Sequence, residues 1–103
     1  MPTIEGKDIR TVVVACEAGM GSSVLLTSQL SQRLGPHGVS VSHAPVNRLS
    51  DDTADLVLCH QGLAGRARQA APGTVVVPFA MFMGDPAFDT IETAIRDGGS
   101  LDG

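Results

Sequence analysis

Thr11-Val12-Val13-Val14-Ala15 is an apolar, largely β-branched run with no polar alternation. A half-buried strand alternates with period two, so a continuous run reads as a strand covered on both faces. Such strands belong to parallel sheets, whose crossovers need helices. The next residues supply one. Cys16-Glu17-Ala18-Gly19-Met20-Gly21-Ser22-Ser23 is a glycine-broken turn, after which Leu26, Leu30 and Leu34 form an apolar stripe. Ser22 or Ser23 can cap this helix, and Gly35-Pro36 stops it.

The alternation continues along the chain. Val39-Ser40-Val41-Ser42 reads as an edge strand, and residues 47–53 as a polar connection with room for a helical turn. Asp55-Leu56-Val57-Leu58-Cys59 is a second buried strand, followed by a short helix over 62–71. Thr74-Val75-Val76-Val77 is a fourth strand closed by Pro78. Residues 79–86 form an apolar loop, and Phe88, Ile91 and Ile95 predict a helix over 87–97. Residues 1–10 read as a loose lead-in and 100–103 as a frayed end. With no repeat or linker, the 103 residues are expected to form one domain, 1–103, with its core at about 10–97. The fold class is α/β, a parallel sheet with helices on both faces and right-handed crossovers.

Composition narrows the function. The chain has three Phe, no Trp or Tyr, and a net charge of -4. It therefore lacks both the aromatic stacking platform and the basic surface of a nucleic-acid binder. No apolar stretch reaches the length of a membrane span, and residues 1–8 lack a signal layout. Two distant cysteines make neither a disulfide scaffold nor a zinc knuckle, so a reduced, cytoplasmic setting is expected. His37, His43 and His60 are scattered and offer no metal spacing; no cofactor is expected.

In parallel α/β sheets, ligands bind at the carboxyl ends of strands, where the Cys16 loop sits. Gly19 and Gly21 permit the dihedrals of an anion cradle, and Ser22 and Ser23 add hydroxyl donors. Backbone N–H groups of residues 17–23 and the helix dipole stabilise negative charge, first on a Cys16 thiolate and then on a bound phosphoryl group. A buried thiol before an ordinary turn is the plainer alternative. A thiol phosphatase needs an Arg, about six positions after the Cys, to grip the phosphate bidentately, and Ser22 stands there. A redox pair needs a second loop cysteine, which is absent. The pattern favours a site that accepts a phosphoryl group and passes it on.

The stretch Val13-Val14-Ala15-Cys16-Glu17-Ala18-Gly19-Met20-Gly21-Ser22-Ser23 closely resembles the active-site loop of mannitol-type enzyme IIB domains of the bacterial phosphotransferase system (PTS). Ala54-Asp55-Leu56-Val57-Leu58-Cys59-His60, with Leu63, Arg66-Ala67 and Ala71-Pro72, is similar to a second family stretch. The resemblance implies a three-layer, four-stranded parallel sheet of order 2-1-3-4, Rossmann-like and related to the low-molecular-weight tyrosine phosphatase fold. It also implies that Cys16 receives a phosphoryl group from a phosphohistidine on a IIA partner. That group then passes to a sugar or sugar alcohol held by a membrane IIC partner, with the chain a monomeric module at the membrane's inner face. Glu17 stands where the family has Asp, and Gln61 where it often has Arg. Ascorbate- and galactitol-type IIB domains use related loops, so the sugar stays open. Met1 and the polar ends point to a separate polypeptide. The alternatives are a small phosphatase or arsenate-reductase-like thiol enzyme, or a IIB-like regulatory module.

Several residues near the loop carry secondary expectations. Cys59 is expected as a core cysteine, with a regulatory disulfide to Cys16 as the sharper alternative. His60 and Gln61 form a possible rim, where His60 can compensate phosphate charge. Met20, Met81, Phe82 and Met83 can form an apolar collar for docking two partners in turn, or simply cover the sheet edge. Arg66 and Arg68 are expected on a solvated helix face.

Overall fold

The computed structural model describes residues 3–16, 21–52, 54–80 and 85–102, without the side chains of 21–23 and 102. In chain order its elements are β1 (Thr3–Glu5), β2 (Thr11–Cys16), α1 (Gly21–Leu34), β3 (Ser40–Pro45), β4 (Leu56–His60), α2 (Ala64–Ala70), β5 (Val75–Phe79), α3 (Pro86–Asp97) and β6 (Ser100–Asp102). Short 3-10 turns lie at Gly6–Asp8, Gly35–His37, Val46–Arg48 and Gln61–Leu63. The four longer strands pair in parallel in the order β3-β2-β4-β5, which is 2-1-3-4 counted over those four. This is the three-layer α/β architecture that the sequence predicts.

The pleat sorts the core into two layers. Val12 and Val14 of β2 and Leu56 and Leu58 of β4 face Leu26, Leu30 and Leu34 of α1 and Phe88 and Ile91 of α3. Val13, Ala15, Val57 and Cys59 face the other way, against Val46, Leu49 and Ala64 and Ala67 of α2. The residues that α2 buries in this layer are small, Ala64 and Ala67. Both inner strands are thus buried on both faces, as an unalternated apolar run requires.

Register between β2 and β4 is clasped at their amino ends. Asp55 Oδ2 accepts from the Arg10 N–H at 2.9 Å, the Thr11 N–H at 3.1 Å and the Thr11 hydroxyl at 3.3 Å. The Asp55 N–H in turn donates to the Thr11 carbonyl at 3.1 Å. A one-residue slip would send every side chain to the wrong face, so this clasp also levels the opposite, carboxyl ends.

The chain ends differ from expectation. Thr3–Glu5 and Ser100–Asp102 are not loose; they pair antiparallel as a two-stranded sheet, with Ile4 opposite Leu101. The chain reaches β6 through Gly98, whose φ of 80° is the left-handed helix stop that favours glycine. The turn after β1 packs against the end of α3, and the Gly6 N–H donates to the Gly99 carbonyl at 2.7 Å. Other corrections are smaller. Helix α1 begins at Gly21, so Ser22 and Ser23 lie inside it. Pro78 does not close the fourth strand but lies within β5, where an edge position tolerates a missing N–H. Pro45 likewise ends β3, the other edge strand. Arg33 near the end of α1 bonds Asp89 and Glu92 of α3, and both carboxylates hold its guanidinium more firmly protonated.

Two substitutions test these contacts. A Cβ on Gly6 would stand 1.8 Å from the Ala94 carbonyl oxygen, a clash with backbone that only main-chain movement relieves. Gly6→Ala is expected to lower unfolding stability by about 1–3 kcal/mol in urea titrations. Asp55→Ala, which removes the clasp, is expected to cost about 1–2 kcal/mol.

Candidate functional site

The β2 strand runs to Cys16, and α1 begins five residues later at Gly21. The nucleophile candidate therefore ends an inner strand, with four residues between it and a 14-residue helix. The first N–H groups of that helix have no partner within the helix, and the positive end of its dipole lies at its start. Cys16 is buried, and its thiol donates to the Ala44 carbonyl of neighbouring β3 at 3.5 Å. This bond suits only the protonated sulfur. A thiolate or an S-phosphoryl group has no proton to give and would be repelled by the carbonyl, so charge at Cys16 is driven toward N–H donors.

On the other side of β2 lies β4. Ala15 registers with Cys59, so one step further along each strand Cys16 and His60 end side by side. Alternation puts both on the α1/α3 face, the face of Val14 and Leu58. His60 is half-buried and registers with Phe79; their rings lie 6.0 Å apart at 87°. Its Nδ1 accepts the Gly62 N–H at 3.2 Å, which caps the turn Gln61–Leu63. Gln61 is exposed in that turn.

The same alternation separates the two cysteines. Cys59 is fully buried on the α2 face, opposite to that of Cys16, and both thiols are free. A Cys16–Cys59 disulfide would have to cross the sheet, so the core role is the one supported. Burial pushes the Cys59 thiol up to about 11, with Arg68 pulling weakly the other way.

Glu17, Ala18, Gly19 and Met20 of the cradle, and Met81, Phe82 and Met83 of the proposed collar, lie outside the described residues. Gly21, Ser22 and Ser23 are placed by their backbone in the first turn of α1. Arg66 and Arg68 are exposed on α2, and His37 and His43 are exposed.

Two features near the site escaped the sequence reading. Val24 and Leu25, in the opening turns of α1, are 51% and 56% exposed, so an apolar surface does flank the Cys16 turn. Asp85, 8% exposed, accepts the Ala87 N–H through Oδ1 at 2.9 Å and the Ala80 N–H through Oδ2 at 2.8 Å. It caps α3 and ties together both ends of the segment that carries Met81 and Phe82. The signal was present: an Asp followed by Pro at the head of an apolar helical period.

A raised Cys59 thiol gives a signed pH prediction. The fold penalises its ionisation, so its contribution is complete below the ordinary thiol value of 9.0 and is lost as pH rises toward about 11. Stability should fall across that window, and Cys59→Ala should flatten the fall; an unchanged slope would contradict the burial argument. Asp85→Ala should lower stability by about 1–2 kcal/mol through loss of the cap, with Asp85→Asn milder.

Known proteins supply the family. The family described as "PTS system, Lactose/Cellobiose specific IIB subunit" matches residues 11–93, from the start of β2 into α3. Among similar proteins, the PTS system mannitol-specific EIICB component of Geobacillus stearothermophilus is 33% identical over 85 residues, 81% of this chain and 18% of that protein. The mannitol-specific EIICBA component of Buchnera aphidicola is 35% identical over 86 residues, 81% of this chain and 13% of that protein. That of Vibrio cholerae is 32% identical over 94 residues, 89% of this chain and 14% of that protein. The chain thus spans less than a fifth of the length of these relatives. With the match running through the four-stranded sheet, α1, α2 and most of α3, the chain belongs to the PTS IIB family.

Proposed function

We propose that this chain is a phosphotransfer module in sugar uptake, with Cys16 as the transient phosphoryl carrier. The observation that carries the reading is the position of Cys16, which ends an inner strand just before α1 begins. In the first step the sulfur attacks the phosphorus of a phosphohistidine on a IIA partner in line. The S–P bond forms as the N–P bond breaks, and the proton lost by the thiol balances the one gained by the departing imidazole. The backbone N–H groups of residues 17–23 hold the equatorial oxygens, so catalysis is mainly positioning and electrostatics. In the second step a hydroxyl of a sugar or sugar alcohol bound by a IIC partner attacks the phosphorus. Sulfur leaves as a thiolate and recovers the hydroxyl's proton.

No Arg follows Cys16 within the loop, which favours handing the group on over hydrolysing it. The mannitol-specific names of the relatives support mannitol or another hexitol as the acceptor. The lactose/cellobiose label of the matching family keeps the sugar open. No helix among the described residues is long and apolar enough to cross a membrane, in keeping with a IIB domain that works at the cytoplasmic face through IIC. We assign the module to one domain, 1–103, acting as a monomer. The rim of His60, Gln61, Met81 and Phe82 is assigned to partner contact and charge compensation.

Incubation with a phosphorylated IIA should add one phosphoryl group to the Cys16 peptide, and Cys16→Ser should abolish it. No transfer from any IIA, or steady hydrolysis of an aryl phosphate lost in Cys16→Ala, would replace this reading with the phosphatase one. Leu25→Asp, at an exposed apolar position beside the turn, should slow transfer from IIA about tenfold or more while leaving the fold intact.

A further inference from the structure

The usual partnership of a cysteine nucleophile and a neighbouring histidine makes the imidazole a general base. The geometry at the end of β4 points elsewhere. Ala15 and Cys59 are the last registered pair of β2 and β4, so Cys16 and His60 are the next residues of neighbouring strands, and the pleat turns both to the same face. Its Nδ1 lone pair accepts the Gly62 N–H at 3.2 Å. A neutral imidazole has one N–H and one acceptor nitrogen, so with Nδ1 accepting, the proton sits on Nε2. Taking up a second proton would place Nδ1–H against Gly62 N–H and break the cap of the turn Gln61–Leu63. The ring is further fixed by Phe79, its edge-on neighbour in the register of β4 and β5. Fixed in this way, the imidazole cannot collect a proton from the thiol through Nε2, which already carries one.

Resting on the phosphotransfer reading, we infer that His60 is a neutral Nε2–H donor to the negative charge at Cys16, and not its base. It serves the thiolate sulfur before transfer and a phosphoryl oxygen after it. The Ala44 carbonyl on the opposite flank, able to accept only from a protonated sulfur, biases developing charge toward this donor. A neutral donor also fits a carrier site. It orients the phosphoryl group without the net positive charge that would bind it tightly, and the next residue, Gln61, adds no charge either.

The test begins with the unaltered chain. Long-range nitrogen–proton NMR of the His60 ring at neutral pH should show the neutral Nε2–H form; an imidazolium or an Nδ1–H form would overturn the inference. Alkylation of Cys16 by iodoacetamide and phosphoryl transfer from IIA are then compared in two variants. His60→Ala should slow both about tenfold, the worth of one hydrogen bond to a charged group. His60→Gln, whose amide donates but does not titrate, should restore most of that loss. Equal losses in the two variants would indicate a base, and no loss in His60→Ala would remove the role altogether. NMR and alkylation need no IIA. Failure of transfer with the alkylation order intact would therefore sink the phosphotransfer reading and leave the role of His60 standing.

Discussion

Burial of β2 on both faces is the constraint from which the rest follows. A strand with Val12, Val13, Val14 and Ala15 all below 5% exposure needs a helical layer above and below and a strand on each side. Only the inner position of a parallel sheet provides all four. Once β2 is there, its carboxyl end lies between two neighbouring strand ends, with α1 beginning five residues on. Cys16 is the residue that ends it. The position of the candidate nucleophile is thus a by-product of where the apolar run must be buried.

The period-two pleat then divides chemistry from packing. Cys59 and His60 are consecutive, yet one is sealed under α2 and the other stands in the rim beside Cys16. The same step separates Ala15, which packs, from Cys16, the proposed phosphoryl carrier. The Asp55 clasp at the far end of the sheet is what fixes these alternations in place. A network of main-chain and hydroxyl bonds at one pole thereby sets which side chains meet at the other.

Much of this was legible in the sequence because it is written in local periodicity. The unalternated run at 11–15, the leucines of α1 and the Cys16 turn give strand, helix and site without reference to anything distant. What was not legible depends on partners far along the chain. The pairing of Thr3–Glu5 with Ser100–Asp102 joins residues almost a full chain length apart, and neither segment alternates strongly enough to announce itself. Pro78 reads locally as a terminator; only its place on the sheet's edge makes it harmless. The opposite facing of Cys16 and Cys59 needs the strand register, which composition does not encode. Asp85 is the exception, since its Asp-Pro signature was local and was passed over.

Pro45 and Pro78 have one more effect. They remove an N–H from the site end of each outer strand, and toward the other end of β3 the Val41 carbonyl accepts the Ser31 hydroxyl at 3.4 Å. Among the described residues, a visiting protein therefore finds fewer main-chain donors to pair a strand with at this pole. It must grip side chains such as Val24 and Leu25 instead. For the phosphoryl carrier proposed above, which would visit donor and acceptor in turn, a surface that resists strand addition favours quick release.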